Sequence, residues 1–281
     1  MLTPAQLDGY LDRIGFHGTA AADLETLNAL HRAHLGAIPY ENLDVHLRRK
    51  LSLDADDLYA KMVVDRRGGY CFEQNALFWY VLRAFGFTVA PIDGQASREL
   101  AGHSPVPTHM PLIATVEGRR YLVDVGVGDG FHEPLPLEVG EYADGIWTHR
   151  MTVLGDGIWR CVPDPNGALI SFDFWPEEPR TIDDYRAPCH LRATDPGSPH
   201  LRVMAVQMPA ERVKTTLRGA QLTFAGPDEP DGKRRVVLET REDFAAALDV
   251  HFGLRLAVDE LDVLWPAARA QYLAWLKENG G

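Results

Sequence analysis

Arg67-Gly68-Gly69-Tyr70-Cys71-Phe72-Glu73-Gln74-Asn75 is the stretch on which the architecture of this chain turns. Two adjacent glycines permit a tight approach turn, and a helical pattern opens at the cysteine. From Cys71 the positions Ala76, Leu77, Tyr80, Val81 and Leu82 carry an apolar run to Gly86, a residue suited to a helix C-terminus. A thiol on the first turn of a helix meets unpaired N–H groups and the positive end of the dipole, which favour its thiolate. The same place suits a small buried hydrophobe, and the cysteine by itself leaves both open.

Upstream, Leu24, Leu27, Leu30, His31, Leu35 and Ile38 recur at spacings of three and four, which predicts an amphipathic helix, with Thr3 or Thr19 as caps and Pro39 as its end. A second helical run over 55–64 stops before Gly68-Gly69. Downstream the texture changes to short apolar segments separated by turn residues, at 88–92, 110–116, 121–127, 147–154, 159–162 and 169–174. They predict an antiparallel sheet or barrel. The proline-rich segment 176–199 reads as a connector before further strands at 201–208, 211–217, 221–224 and 235–239. Helices at 242–252 and 266–278 close the chain. The fold class is α+β, dividing into a helical part over 1–86, a β-rich part over 87–195 and a mixed part over 196–281.

The segments 108–116 and 120–126, joined by Glu117-Gly118-Arg119, predict a β-hairpin. If residue 111 pairs with 124, His109 and Asp124 lie diagonally on one face, within reach of an imidazole. A cysteine at a helix start, a histidine on a nearby strand and an aspartate behind it supply the nucleophile, base and orienter of acyl transfer. Taken singly, each has an ordinary structural role: Cys71 as a buried hydrophobe, His109 as a half-buried strand residue, Asp124 as a turn acid.

Composition narrows the functions. Of 281 residues, 28 are Lys or Arg and 40 Asp or Glu, and the net charge of -12 has the wrong sign for attracting a polyanion. The expectation is no nucleic-acid partner; a small anionic ligand needs no more than a few amides or one basic cluster. No apolar run is long enough for a membrane span, and the first ten residues lack the features of an export signal. Three scattered cysteines, Cys71, Cys161 and Cys189, form no disulfide framework and no paired zinc-ligand spacing. The expectation is a cytoplasmic protein with free thiols and no metal. Nothing sets its oligomeric state.

With these residues in place, the chain resembles the arylamine N-acetyltransferases. The resemblance rests on the block from Arg67 to Asn75, on Ile38-Pro39-Tyr40-Glu41-Asn42-Leu43, on Thr108-His109-Met110 and on Asp124-Val125-Gly126-Val127-Gly128, in order along the chain. It implies an N-terminal helical bundle, a central antiparallel β-barrel and a C-terminal α/β lid around a cysteine-protease-like core. It also implies a ping-pong reaction: acetyl-coenzyme A acylates Cys71, coenzyme A leaves, and an arylamine or arylhydrazine takes the acetyl group. Carried over residue by residue, the triad is Cys71, His109 and Asp124. Phe72 and the residues after Asp124 are candidate pocket walls, and the run Gly126-Val127-Gly128-Asp129-Gly130 can offer amides to the pyrophosphate of coenzyme A, as can the cluster Lys233-Arg234-Arg235. The family usually carries Phe where this chain has Val127, which implies a wider acceptor pocket. His200 stands where the family often places a pocket aromatic. Arg67 and Glu41, opposite in charge, are expected to pair and brace the helix that presents Cys71.

Two alternatives share these residues. One is an amide synthase of the same family acting in polyketide biosynthesis. The other is a catalytically silent small-molecule-binding protein with the same fold, whose thiol titrates near its free value of about 8.5. A papain-like or transglutaminase-like hydrolase shares the Cys, His and Asp logic but not the Arg-Gly-Gly-x-Cys block.

Overall fold

The computed structural model describes residues 1–128, 130–164 and 170–279. Helix α1 (Pro4–Ile14) opens under a capping box: Thr3 accepts from the Gln6 amide, and Gln6 accepts in return from the Thr3 amide. Helix α2 (Leu24–Ala37) is capped by Asp23, which accepts from Thr26 N at 2.8 Å; Thr19 takes no part. Strand β1 (Tyr40–Glu41), helix α3 (Leu43–His46), helix α4 (Ala55–Tyr59) with a π-helical turn over Ala60–Val64, and helix α5 (Cys71–Ala84) follow. Gly86 ends this helical part in the left-handed region, at φ 87°. Leu27, Leu30, Leu58, Met62, Phe78 and Val81 meet in its core.

The middle of the chain holds strand β2 (Thr88–Ala96), helix α6 (Arg98–Ala101) and strands β3 (Leu112–Val116), β4 (Arg119–Val123), β5 (Leu135–Pro136), β6 (Gly140–Asp144), β7 (Trp147–Gly155), β8 (Ile158–Val162) and β9 (Phe172–Pro179). They form one antiparallel sheet in the order β5-β4-β3-β2-β9-β8-β7-β6, curled into a nearly closed barrel around Ile92, Leu122, Phe131, Met151 and Phe172. The β3–β4 register pairs Leu112 with Val123, so Pro111 and Asp124 are the next pair outward. Pro111 has no N–H to give a ladder, which is why β3 begins at Leu112 rather than at 108. Leu169, at the start of one expected strand, lies outside the described residues; the strand itself runs past Pro176 to Pro179.

The expected connector 176–199 is largely helical: a 3-10 turn (Ile182–Tyr185) leads into helix α7 (Arg186–Thr194), and helix α8 (Pro199–Arg202) follows. Prolines mislead here because Pro188 sits in the first turn of α7 and Pro199 at the first position of α8, where a missing N–H costs nothing. Strands β10 (Ala205–Pro209), β11 (Lys214–Arg218), β12 (Gln221–Ala225) and β13 (Lys233–Val237) join β1 in a second antiparallel sheet, order β1-β10-β11-β12-β13. Helix α9 (Arg241–Phe252) and helix α10 (Val258–Glu278) pack Phe244, Leu248, Leu264 and Ala268 against Val206, Leu217, Leu222 and Phe224 of that sheet. Helix α10 begins eight residues before the expected start and runs through Pro266. Among the described residues no helix is long and apolar enough to cross a membrane.

Candidate active site

Cys71 occupies the first position of α5 because two segments close tightly beneath it. A Cβ on Gly68 would lie 2.1 Å from the Pro39 carbonyl oxygen, and one on Gly69 would lie 2.7 Å from Met62 Cε, so only glycine fits either place. Glu41 N donates to Gly69 O at 2.9 Å, tying β1 to the approach turn. Arg67 is buried among three carboxylates: it reaches Glu41 at 2.9 Å, Asp44 at 3.2 Å and Glu260 at 3.3 Å. Lys61 bridges Asp44 and Glu73, each at 2.8 Å. Burial pushes the Glu73 carboxyl above the usual carboxylate range, with the Lys61 charge opposing the shift.

His109 lies just before β3, where its carbonyl accepts from Gly94 N at 3.0 Å. Its ring stands edge-on to Phe172, 5.2 Å between centroids. Nε2 meets Asp124 Oδ2 at 2.5 Å, and since a carboxylate can only accept, Nε2 carries the proton and Nδ1 is left for the hydrogen bond with Cys71. Burial alone lowers the His109 pKa; the Asp124 charge and hydrogen bond, with the Cys71 contact added, lift it instead to about 10. The imidazolium is therefore strongly favoured at neutral pH. Cys71, His109 and Asp124 are brought together, each nearly sealed from solvent.

Asn75 is the residue that sequence reasoning passed over. Its Nδ2 donates to Asp124 Oδ1 at 2.8 Å and to Met110 O at 2.9 Å, while its Oδ1 accepts from Val125 N at 2.9 Å. Standing four residues after Cys71, it shares that face of α5 one turn on, and this spacing was the signal available in the sequence. Asp124 Oδ1 also accepts from Gly126 N at 2.9 Å. A Cβ on Gly126 would fall 2.8 Å from both Cys71 Cα and Cys71 O, so this glycine is what lets the loop after Asp124 lie against the cysteine. His31 Nε2 accepts from Asp124 N at 3.3 Å, and Gln74 ties His34 to the Pro39 carbonyl, each bond 2.7 Å.

The remaining candidates divide. Phe72 is fully buried between Tyr70 and Tyr185, at 5.6 and 6.0 Å between ring centroids, within the helical core. Val127 packs with the barrel core. Gly128 takes φ 49° and faces Gln207, whose Oε1 would be 2.5 Å from a Cβ there. Asp129, within the glycine-rich run, lies outside the described residues. His200 stands edge-on to Tyr70 at 5.3 Å and 3.4 Å from the Tyr40 hydroxyl; burial and the nearby Arg192 and His109 charges lower its pKa to about 4. Cys189 receives the Tyr70 hydroxyl on its Sγ at 2.9 Å, and burial pushes its thiol up to about 12; burial raises the Cys161 thiol as well.

A family model described as N-acetyltransferase matches residues 23–261. The chain is 37% identical over 77% of its length to the arylamine N-acetyltransferase of Mycolicibacterium smegmatis, covering 81% of that protein. Its structure is similar to that of the arylamine N-acetyltransferase from Mycobacterium abscessus, with TM-score 0.85 and 31% identity over 94% of this chain and 95% of that one. It is also similar to the Mycobacterium marinum arylamine N-acetyltransferase in complex with CoA, with TM-score 0.80 and 29% identity over 94% and 97% of the two chains. Fold and matches together define an acyltransferase built from N-terminal helices, an antiparallel barrel and a C-terminal sheet with helices. The chain belongs to the arylamine N-acetyltransferase family.

Proposed function

We propose that this protein acetylates aromatic amines and hydrazines from acetyl-CoA by a ping-pong reaction through an acetyl thioester on Cys71. The single observation that supports it most is His109 held between Asp124 and Cys71, its Nε2 2.5 Å from the carboxylate and its other nitrogen left for the thiol. In the first half-reaction the Cys71 sulfur, beside a His109 ring that already holds the proton, attacks the thioester carbonyl. The resulting oxyanion meets the Cys71 N–H, which at the first position of a helix has no carbonyl of its own helix to bond. Collapse expels coenzyme A, which takes the proton from His109. In the second half-reaction the amine attacks acetyl-Cys71, its proton passes to His109, and the thiol is restored as the amide leaves. Asp124 fixes the ring orientation and stabilises its charged form throughout.

Around this centre we assign Asn75 and Gly126 to holding Asp124 in place, and the buried Arg67–Glu41 pair to bracing the turn before Cys71. Initial rates with acetyl-CoA and an aromatic hydrazine test the reaction. Parallel double-reciprocal lines and complete loss in Cys71→Ser are expected; converging lines, or activity surviving in Cys71→Ser, contradict it.

A further inference from the structure

Two backbone groups from the ends of the segment 124–132 meet on one imidazole. His31, on α2, is fully buried. Its Nδ1 lies 2.8 Å from His132 O, and since a carbonyl can only accept, Nδ1 carries the proton. Nε2 is then a lone pair, and it takes the Asp124 N–H at 3.3 Å. The two partners select one tautomer of the neutral ring, because a proton on Nε2 would set N–H against N–H. Burial outweighs the His132 carbonyl and the Asp124 charge and lowers the His31 pKa to about 4, so the ring is neutral at pH 7. The ring is fixed in orientation as well. It stacks on Phe131, 5.6 Å between centroids and 11° between planes, and stands edge-on to Phe78 at 5.8 Å.

The segment between these two ends is the one that lies against the cysteine. Gly126 touches Cys71, Val127 packs with the barrel core and Gly128 faces Gln207. Asn75 of α5 holds the beginning of the segment through Asp124 Oδ1 and Val125 N. His31 holds it from α2 and, by binding both ends, closes it into a strap. Beyond the strap the chain is anchored again. Asp144 of β6 accepts from His132 N at 2.7 Å, from His132 Nδ1 at 2.9 Å and from His149 Nε2 at 3.3 Å, while Glu133 pairs with Arg32, the neighbour of His31 on α2. The titratable groups that face His31 are therefore Asp124, His132 and, behind it, Asp144, with His34 one turn on along α2.

We propose that His31 is a positioning residue for both half-reactions: one neutral imidazole clamps the two ends of the 124–132 strap and so holds the Asp124 carboxylate on His109. The Asnδ contacts and the Gly126 amide fix the carboxylate of Asp124; His31 fixes its main chain. The Asp124 charge and hydrogen bond lift His109 against burial, so a loosened Asp124 lets the His109 proton go at lower pH. This inference rests on the acetyl transfer proposed above, and its test separates the two.

His31→Leu removes both bonds and keeps a side chain of similar size. His31→Gln can accept from Asp124 N through its amide oxygen and donate to His132 O through its amide nitrogen. Folding of both is checked by circular dichroism. In rapid-quench acylation by acetyl-CoA, His31→Leu lowers the saturating rate about 100-fold with the half-saturating concentration unchanged, and His31→Gln recovers about tenfold of the loss. The alkaline limb of the rate, where His109 loses the proton that coenzyme A takes on leaving, moves to lower pH in His31→Leu, which a merely structural role would not cause. A saturating rate or an alkaline limb that stays in place in folded His31→Leu, or a His31→Gln no faster than His31→Leu, overturns the proposal. If acetyl-CoA does not acylate the unaltered protein, the acetyltransferase function fails, and alkylation of Cys71 by iodoacetamide decides the clamp separately. A pH profile of alkylation displaced upward in His31→Leu supports it, and an undisplaced one refutes it. If His31→Leu does not fold, nitrogen NMR of histidine-labelled unaltered protein at pH 7 decides: a neutral His31 protonated on Nδ1 supports the clamp, and the other tautomer or an imidazolium refutes it.

Discussion

Replacing Asn75 with alanine removes the bracket between the cysteine helix and the aspartate loop. Three buried hydrogen bonds vanish at once, to Met110 O, Asp124 Oδ1 and Val125 N, and no solvent is at hand to replace them because Asn75 is fully buried. At about 1 to 2 kcal/mol for each buried group left without a partner, unfolding free energy falls by about 3 to 6 kcal/mol. Asp124 keeps the Gly126 amide and His109, so the loop persists but is held less firmly. A displacement approaching an ångström in the group that aims His109 slows acylation by about 100-fold. Urea unfolding reads the first effect, and rapid-quench acylation of Cys71 by acetyl-CoA reads the second. Acylation at the unaltered rate would refute the positioning role, and a stability loss below about 1 kcal/mol would refute the hydrogen-bond reasoning.

Gly126→Ala forces a Cβ to within 2.8 Å of Cys71 Cα, so acylation drops at least as far as in Asn75→Ala; an unaffected rate by the same assay would show that the loop need not lie against the helix. Burial holds His31 at about 4, against 6.5 for an unhindered histidine, so the stability it contributes is complete above pH 6.5. That contribution shrinks as pH falls toward 4, by on the order of 3 kcal/mol, which urea midpoints across that window measure. His109 has the opposite sign: raised to about 10, its contribution is complete below pH 6.5 and is lost as pH rises through 10, visible as a falling melting temperature on the alkaline side. Arg67→Met leaves Glu41, Asp44 and Glu260 without their shared cation and costs about 3 to 5 kcal/mol in urea unfolding. If Glu41→Gln leaves acylation and thiol reactivity unchanged, the bracing role is lost.

What could be read from the sequence was local or periodic. The start of α5 at Cys71 followed from its apolar spacing, and the pairing of Pro111 with Asp124 followed from a hairpin whose turn residues, Glu117 and Gly118, both take positive φ. What escaped depends on contacts distant in the chain. Asn75 looks like any polar helix residue until Met110 and Val125 arrive from the barrel. The two-residue β1 is too short to show a period and exists only because β10 pairs with it. The prolines of 176–199 signal a break, yet the first turn of a helix accepts them, and only the fold reveals which prolines occupy such places. The basic run 233–235 reads as one cluster, but strand alternation divides it between two faces.

The central claim is that Cys71 carries the acyl group, and intact mass spectrometry after mixing the protein with acetyl-CoA and no amine tests it most directly. The account predicts one added acetyl group, located on Cys71 by peptide mapping and absent in Cys71→Ser. An unmodified protein that also fails to hydrolyse the thioester, or an acetyl group on any other residue, would contradict it.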